Sequence, residues 1–218
     1  MLVGEAKAIG DILSREVFNK KRSVILNIGS STKYFRESSQ PWIERYIFRP
    51  LRFLSCQVVN IDIKLDDGVD FVADITKEFD LTKLNAFNAD IIMASNLLEH
   101  VEDLRSTCAN IAHLLGPETI LILSGPVKFP FHPDPIDNGW RPDELDIRES
   151  FPTCVTSDFR LVSHKNLQLA TMDGNLFVNG AKYISRLIKA LLAFDPTSEL
   201  TERFFSPVSA FVVIIRKR

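Results

Sequence analysis

The sequence predicts an α/β fold in which a doubly wound, mostly parallel sheet carries helices on both faces. Two apolar runs support this prediction: residues 23–29 read Ser-Val-Ile-Leu-Asn-Ile-Gly, and residues 57–62 read Gln-Val-Val-Asn-Ile-Asp. The first is typical of a strand that is buried on both faces and is followed by a sharp turn at Gly29. The second ends in Asp62 at the carboxyl edge of a neighbouring strand. An acid there can bind ribose hydroxyls, so the two strands indicate a nucleoside-type ligand.

Strands and helices alternate along the chain. Residues 2–19 predict a helix, because apolar residues recur there on one helical stripe. The members of this stripe are Leu2, Ala6, Ile9, Leu13 and Val17. Strands are predicted over 23–28, 57–62, 70–73, 90–95 and 119–124, and helices from Pro41, near 80–87 and over about 103–115. Five alternating units of this kind are typical of a doubly wound sheet.

Breaker residues and the last third of the chain complete the pattern. Pro41 suits the first position of a helix, and Pro50 should end or kink that helix. Gly116-Pro117 should end the helix over 103–115. An amphipathic helix is predicted from Ile184, Leu187, Ile188, Leu191 and Leu192, and a final strand over 209–215.

The composition is that of an ordinary globular protein, and we expect a single domain over 1–218. The 218 residues carry 26 Lys and Arg against 28 Asp and Glu, for a net charge of −2, and 45% of them are hydrophobic. This balance does not favour nucleic acid or a membrane surface as a partner. We expect no signal peptide, no membrane span and no disulfide framework, since the cysteines are three and widely spaced. The chain is therefore expected in the cytoplasm.

A proline-rich loop is predicted over residues 125–142. It holds five prolines and two glycines and directly follows the strand over 119–124. Long loops at the carboxyl ends of strands often carry function. The loop is therefore a candidate for part of a binding site.

Two segments could contact a ligand directly. The turn over 27–33 could cradle a ligand with backbone amides, although a single glycine is equally typical of an ordinary turn. Asp74 follows the third strand and could accept a hydrogen bond from an exocyclic amine. The alternative for Asp74 is a helix N-cap or a solvated loop acid.

A third segment follows the fourth strand and carries the most specific motif. Residues 97–101 read Leu-Leu-Glu-His-Val. Together with Asn27-x-Gly29, Asp62, Ala73-Asp74 and the strand over 90–95, it resembles the class I S-adenosylmethionine-dependent methyltransferases over residues 23 to 124. The resemblance implies a seven-stranded, Rossmann-like methyltransferase fold and S-adenosyl-L-methionine as cofactor.

The resemblance also implies a role for each matching position. Gly29 and its neighbours Ser30 and Ser31 would approach the methionine part of the cofactor, together with Asn27. Asp62 would hold the ribose diol. The remaining positions are Asp74 and the Ile75 backbone at the adenine, Asn96 beside the methionine moiety and His100 near the transfer site.

Two positions depart from the family pattern. The family usually has an acid where Asn27 stands and a second glycine where Ser31 stands. An amide oxygen can still accept a hydrogen bond from the cofactor's ammonium but lacks the charge. Ser31 requires either a conventional backbone angle or some strain.

The histidines supply the candidate catalytic groups. His132 lies in the proline-rich loop, where it could act as a general base or merely order the prolines. His100 could act near the cofactor or cap its helix. His132, Asp134 and Asp137 are residue types that bind divalent metals, but nothing else completes that set, so no metal site is predicted. Phe129, Phe131 and Trp140 could form an apolar lid or pack in the core.

The sequence therefore predicts methyl transfer from S-adenosylmethionine to a small molecule, with an oxygen of a saccharide or biosynthetic intermediate as the expected acceptor. A homodimer is compatible with this prediction. A non-catalytic scaffold with a degenerate cofactor turn is the alternative. A nicotinamide-dependent oxidoreductase would need a fuller Gly-x-Gly-x-x-Gly turn than this chain has.

Overall fold

The sheet is the centre of the molecule. The computed structural model describes residues 1–18, 22–173 and 206–218, and seven strands within these residues form one sheet. The strands are β1 (Val24–Ile28), β2 (Gln57–Asp62), β3 (Phe71–Val72), β4 (Ile91–Ser95), β5 (Ile120–Lys128), β6 (Cys154–His164) and β7 (Val208–Lys217). Their order is β3-β2-β1-β4-β5-β7-β6. All pairs among β1 to β5 are parallel, and β7 runs antiparallel to both β5 and β6. The predicted doubly wound, mostly parallel sheet is confirmed.

Helices cover both faces of the sheet. They are α1 (Val3–Val17), α2 (Pro41–Ile43), α3 (Arg49–Phe53), α4 (Glu78–Asn85), α5 (Leu104–His113), α6 (Glu144–Ser150) and α7 (Leu167–Ala170), with a 3₁₀ turn over Leu98–His100. Two π-helical turns, Phe35–Ser39 and Glu44–Phe48, join α2 and α3 into one helical stretch, here called the 35–53 segment. No helix among the described residues is long and apolar enough to cross a membrane.

Side chains alternate between two hydrophobic cores, because successive residues of a strand point to opposite faces. On one face, Leu26 and Ile28 of β1 pack with α4 and α5. On the other face, Ile25 packs with α1 and the 35–53 segment. All five apolar residues of the predicted α1 stripe are buried, which explains why that helix docks on the sheet.

Several elements differ from the sequence prediction. β5 continues past Ser124 to Lys128, because residues 125–128 pair with β7 across a register shift at Pro126, which has no N–H to donate. The predicted loop over 125–142 therefore begins at Phe129, and it is called the 129–142 loop below. Pro50 was expected to end or kink its helix, and it does not end it: the helical stretch changes from the π-helical turn over Glu44–Phe48 to α3 just before Pro50 and continues to Phe53.

β6 was not assigned from the sequence, because its polar and apolar residues alternate irregularly around a register shift between Ser157 and Arg160. The helix predicted over 184–192 lies outside the described residues. The remaining predicted strands agree with the structure within a residue or two at their ends.

The sheet order brings four strand ends together. β1 pairs with β2 on one side and with β4 on the other, and β4 pairs with β5. Because all four strands are parallel, the residues that follow them meet at the same edge of the sheet. This edge holds Gly29, Asp62, Asn96 and the 129–142 loop.

Candidate functional site

The turn after β1 is wound in the left-handed region. Gly29 has φ +71°, and a Cβ at this position would lie 2.9 Å from Leu97 Cδ1, so a larger residue would collide with the segment after β4. Ser31 also has a positive φ, 54°. Of the two alternatives for Ser31, a conventional backbone angle or a strained one, the structure has the strained one. The strain costs on the order of 1–2 kcal/mol.

Asp62 holds this turn in place. Its Oδ2 accepts a hydrogen bond of 2.8 Å from the Ser31 backbone N–H, and its Oδ1 accepts one of 3.2 Å from Lys64 N–H. The Ser30 backbone N–H also donates to the β2 carbonyl of Ile61, at 2.9 Å. Each carboxylate oxygen has two lone pairs, so Asp62 keeps capacity for ligand hydroxyls. The structure therefore brings together Gly29, Ser30, Ser31 and Asp62, as the sequence predicted.

Arg36 is a site residue that the sequence analysis missed. Its side chain is buried and donates to three carbonyl oxygens: Ser30 at 2.7 Å, Ser31 at 2.6 Å and Gly68 at 2.7 Å. Burial lowers the pKa of Arg36, and nearby carboxylates, with Asp70 the strongest, oppose this effect. Arg36 thus fastens the turn after β1 to the loop after β2. An arginine within an otherwise exposed stretch gave no sequence signal of burial.

Asp74 and Ile75 lie after β3. The Oδ1 of Asp74 accepts hydrogen bonds from the Thr76 N–H at 2.9 Å and the Thr76 hydroxyl at 2.6 Å. The Asp74 N–H donates to Asp80 Oδ2 at 3.0 Å, and the Ile75 carbonyl accepts from Asn110 Nδ2 at 2.9 Å. Asp74 therefore orders its own turn, as the loop-acid alternative describes. Contact of Asp74 and Ile75 with an adenine stays a prediction.

Asn27 is buried at the end of β1 and joins a chain of amide hydrogen bonds. Its Nδ2 donates to Asn60 Oδ1 at 3.0 Å, and the Nδ2 of Asn60 donates to Asp70 Oδ2 at 2.9 Å. Because the side-chain nitrogen of Asn27 already donates to Asn60 of β2, the side-chain oxygen is the atom that a ligand ammonium would contact.

Asn96 lies after β4 and is held by an acid that the sequence analysis did not select. Its backbone has φ +50°, and its Nδ2 donates to Glu5 Oε1 at 2.7 Å. The same oxygen accepts from the Ser124 hydroxyl at 2.8 Å, and Glu5 Oε2 accepts from Leu2 N–H at 2.9 Å. Glu5 is fully buried and connects α1 to the ends of β4 and β5. The sequence did contain one indication of this role: Glu5 is a charged residue on the apolar face of α1.

Glu99 is a second buried acid at this edge. Its side chain has no solvent exposure, and neither carboxylate oxygen has a hydrogen-bond partner in the described part of the chain. Burial raises the pKa of Glu99 to about 7; the residue's own backbone N–H opposes this rise, and the charge of Glu5 adds to it. Unpaired buried carboxylates are costly, and they are found at functional sites more often than elsewhere.

Both predicted catalytic histidines lie beside Glu99. His100 Nε2 is 3.9 Å from Glu99 Oε1, and the rings of His100 and His132 meet edge to face with centroids 5.2 Å apart. His100 Nδ1 lies 2.5 Å from the Ile136 carbonyl oxygen, and His132 Nδ1 lies 2.9 Å from that of Pro130. Burial lowers the pKa of His132, which favours a neutral imidazole near pH 7. His100, His132 and Glu99 thus form one cluster.

The 129–142 loop is ordered by polar contacts within the loop and with the segment that contains the 3₁₀ turn. Asp137 Oδ2 accepts from the Arg141 guanidinium at 2.7 Å and from the His132 N–H at 2.8 Å. Asn138 Nδ2 donates to the carbonyls of Leu98 at 2.8 Å and Val101 at 2.9 Å. These bonds keep His132 next to the 3₁₀ turn.

The aromatic residues of the loop do not act together as a lid. Trp140 packs edge to face on Phe211 of β7, with ring centroids 5.9 Å apart. Phe129 packs near His132, with centroids 4.8 Å apart, and Phe131 is 72% exposed. Trp140 is partly buried and packs against the core, which agrees with the packing alternative.

The candidate site thus has two ends at one sheet edge. The first end is the turn after β1 with Asp62, and the second is the cluster of Glu99, His100 and His132. Leu97 connects them, because its side chain lies against Gly29 while its chain neighbours form the 3₁₀ turn. Two shallow depressions lie elsewhere, on the outer face of the 35–53 segment.

Comparison with known proteins supports the fold. No protein-family model and no curated protein matches the sequence. A proposed methyltransferase of Bacillus halodurans is 10% identical with a TM-score of 0.55, over 95% of this chain and 98% of that one. Coclaurine N-methyltransferase, bound to N-methylheliamine and S-adenosylhomocysteine, is 11% identical with a TM-score of 0.52, over 97% of this chain and 70% of that one.

These solved structures share the fold at low identity, and this chain therefore has the class I methyltransferase fold. S-adenosylmethionine is the cofactor with which this fold works, as the S-adenosylhomocysteine in coclaurine N-methyltransferase illustrates. The fold also supports other chemistry. The [4+2]-cyclase SpnF is 14% identical with a TM-score of 0.52, over 97% of this chain and 80% of that one.

Proposed function

We propose that this protein transfers a methyl group from S-adenosylmethionine to a small-molecule acceptor. The observation that carries the proposal is the pairing of Asp62 with the left-handed turn at Gly29 and Ser31, at the carboxyl ends of two adjacent parallel strands. In open α/β sheets this is the place where nucleotide-type ligands bind. The turn offers backbone groups at close range, and Asp62 offers carboxylate oxygens for a ribose diol.

The acceptor is proposed to enter at the other end, beside Glu99, His100 and His132. A sulfonium methyl is already activated, so the protein mainly aligns donor and acceptor. An oxygen acceptor must also lose its proton. The cluster of two imidazoles and a carboxylate supports an oxygen acceptor, such as a saccharide hydroxyl, because these groups can assist that loss. His100 and His132 are therefore the proposed catalytic residues.

Titration with S-adenosylhomocysteine tests the proposed function. We expect binding to the natural protein and binding weaker by about 1–3 kcal/mol in Asp62→Asn, since a hydrogen bond to a charged group is lost. Asparagine keeps an oxygen that can accept from the Ser31 N–H, so the turn should persist. Asp67→Asn, in the exposed loop after β2, is the matched control and should bind like the natural protein.

Two outcomes would contradict parts of this proposal. A folded natural protein that binds no S-adenosylhomocysteine would favour the non-catalytic scaffold. Equal affinity in Asp62→Asn and the natural protein would remove Asp62 from the site. The predictions of a homodimer, of a single domain over 1–218 and of a cytoplasmic location stay predictions.

A further inference from the structure

Three potential metal ligands converge at the acceptor end of the site. One carboxylate oxygen of Glu99 and one ring nitrogen each of His100 and His132 all lie within 4.8 Å of one another. Glu99 and His100 come from the 3₁₀ turn after β4, and His132 comes from the 129–142 loop after β5. The cluster therefore joins two segments that are far apart in sequence.

The hydrogen bonds of the two imidazoles leave one nitrogen of each ring for a ligand. A carbonyl oxygen can only accept, so the contacts of His100 Nδ1 with Ile136 and of His132 Nδ1 with Pro130 place the proton on Nδ1. In a neutral ring the Nε2 atom then carries a lone pair. Metal-bound histidines typically have this arrangement, with the second nitrogen donating to a carbonyl or carboxylate.

Glu99 supplies the second, independent observation. Both of its carboxylate oxygens are buried without a hydrogen-bond partner among the described residues. Arg141 of the loop donates no hydrogen bond to Glu99. Its guanidinium instead donates to Asp137 through two contacts, at 2.7 and 3.1 Å. A buried carboxylate is normally paired or bound to a metal.

We propose that Glu99, His100 and His132 bind a divalent transition-metal ion such as Zn²⁺. Two imidazole nitrogens and a carboxylate oxygen are ligands that such ions prefer. Bonds of about 2.1 Å at tetrahedral angles place two ligand atoms about 3.4 Å apart, so side-chain rotations that bring the three atoms closer by up to about 1.4 Å would complete the site. Three protein ligands leave open coordination positions, which is typical of catalytic sites.

These proposed ligands differ from the set His132, Asp134 and Asp137 that was considered in the sequence analysis. Asp137 is used by Arg141 and by the His132 backbone, so it orients the histidine instead of binding the ion. An open position on the ion would hold the acceptor oxygen and make its proton easier to lose. This role rests on the proposed function, whereas binding of the ion does not.

The test is metal binding by the full chain after dialysis against a chelator. We expect one equivalent of Zn²⁺ to bind by calorimetric titration, and Co²⁺ to bind with the visible absorption of a site containing nitrogen ligands. Glu99→Gln and His132→Asn should each weaken Zn²⁺ binding at least 10-fold. Glu99→Gln keeps the shape of the side chain and removes an unpaired buried charge, so it should remain folded. His113→Asn, on the exposed face of α5, is the matched control and should bind like the natural protein.

The same samples separate this proposal from the proposed function. S-adenosylhomocysteine is titrated into metal-free and metal-loaded protein. Zn²⁺ binding that depends on Glu99 and His132 supports the site even where S-adenosylhomocysteine fails to bind. The proposal is overturned if folded, metal-free protein binds no Zn²⁺, or if Glu99→Gln and His132→Asn bind it as tightly as His113→Asn.

Discussion

Arg36 shows how much of the turn after β1 depends on one side chain. Its guanidinium donates to carbonyls in two loops, and three such bonds need the fixed fork of an arginine. A lysine presents a single ammonium on a flexible stem and cannot reach the same three oxygens at once. The geometry of the turn should therefore depend on arginine at this position.

Arg36→Lys should lower the free energy of unfolding by about 2 kcal/mol, since buried carbonyls lose their donors. Urea denaturation measures this change. Affinity for S-adenosylhomocysteine should fall with it, because the turn at Ser30 and Ser31 loses its anchor. Arg52→Lys is the control, since that side chain is 59% exposed and should change stability little. An Arg36→Lys protein as stable as Arg52→Lys would show that the three bonds contribute nothing net.

Individual site residues could be predicted from the sequence only where a strand end reveals them. Gly29 and Asp62 were predicted correctly as neighbours, because each follows an apolar run whose direction in the sheet is fixed. Glu5, Arg36 and Glu99 acquire their importance from contacts with distant segments. Glu5, for example, contacts Asn96 and Ser124, and nothing local in α1 reveals those partners.

Among the elements, β6 has a feature with a consequence for acid stability. Its register shift places Asp158 at φ +50°, where its carboxylate binds Arg160 at 2.9 Å and Arg15 of α1 at 2.6 Å. The hydrogen bonds from Arg160 and then Arg15 lower the pKa of Asp158 to about 2. The ion pairs thus fasten the edge strand to α1.

Asp158→Asn should cost about 1 kcal/mol of stability at pH 7, a value reduced for the partial exposure of the pair. A depressed carboxyl pKa contributes stability above the unfolded-state value near 4, and this contribution is lost as the pH falls toward 2. The difference between Asp158→Asn and the natural protein should therefore shrink between pH 4 and pH 2. Asparagine tolerates a positive φ, so Asp158→Asn removes the charge without adding backbone strain.

Denaturant unfolding at pH 7, 4 and 3 measures this difference. Glu118→Gln, in an exposed turn, is the control and should show no such trend. A difference that stays constant across the three pH values would assign the effect of Asp158→Asn to something other than its charge.

Strands were predicted correctly where the sequence has an uninterrupted apolar run. They were missed where a segment becomes a strand only by pairing with a distant strand. The end of β5 could not be predicted, because Gly125 and Pro126 disfavour a strand locally and only the partner β7 keeps them in the sheet. The same holds for β6, whose polar and apolar residues alternate irregularly and which is kept in the sheet by the mostly apolar β7. Tertiary context overrides local preference in both strands.

At the scale of the whole molecule, Phe211 of β7 connects the sheet to the 129–142 loop. It is fully buried, stacks parallel to Phe159 with centroids 6.4 Å apart, and meets Trp140 edge to face. Phe211→Ala should lower the free energy of unfolding by about 3–5 kcal/mol, through lost burial and the cavity left behind. Urea denaturation followed by circular dichroism and by tryptophan fluorescence measures this loss.

Phe53→Ala is the matched control, since that ring is 91% exposed and its removal should change stability by less than about 0.5 kcal/mol. A loss below 1 kcal/mol in Phe211→Ala would show that the core closes over the missing ring. In that case the loop does not depend on β7 for its position.

Among the described residues, β7 is the last strand along the chain, yet it lies between β5 and β6. During synthesis on the ribosome, β1 to β5 can pair as they emerge, whereas β6 pairs in this sheet with β7, which follows it along the chain. The backbone N–H and C=O groups of β6 that bond β7 stay exposed to water or to a chaperone until residues 208–217 have been synthesised. β7 then inserts between β5 and β6. The sheet is thus completed from within, and a ribosome that stalls before that point leaves two open edges exposed to other chains.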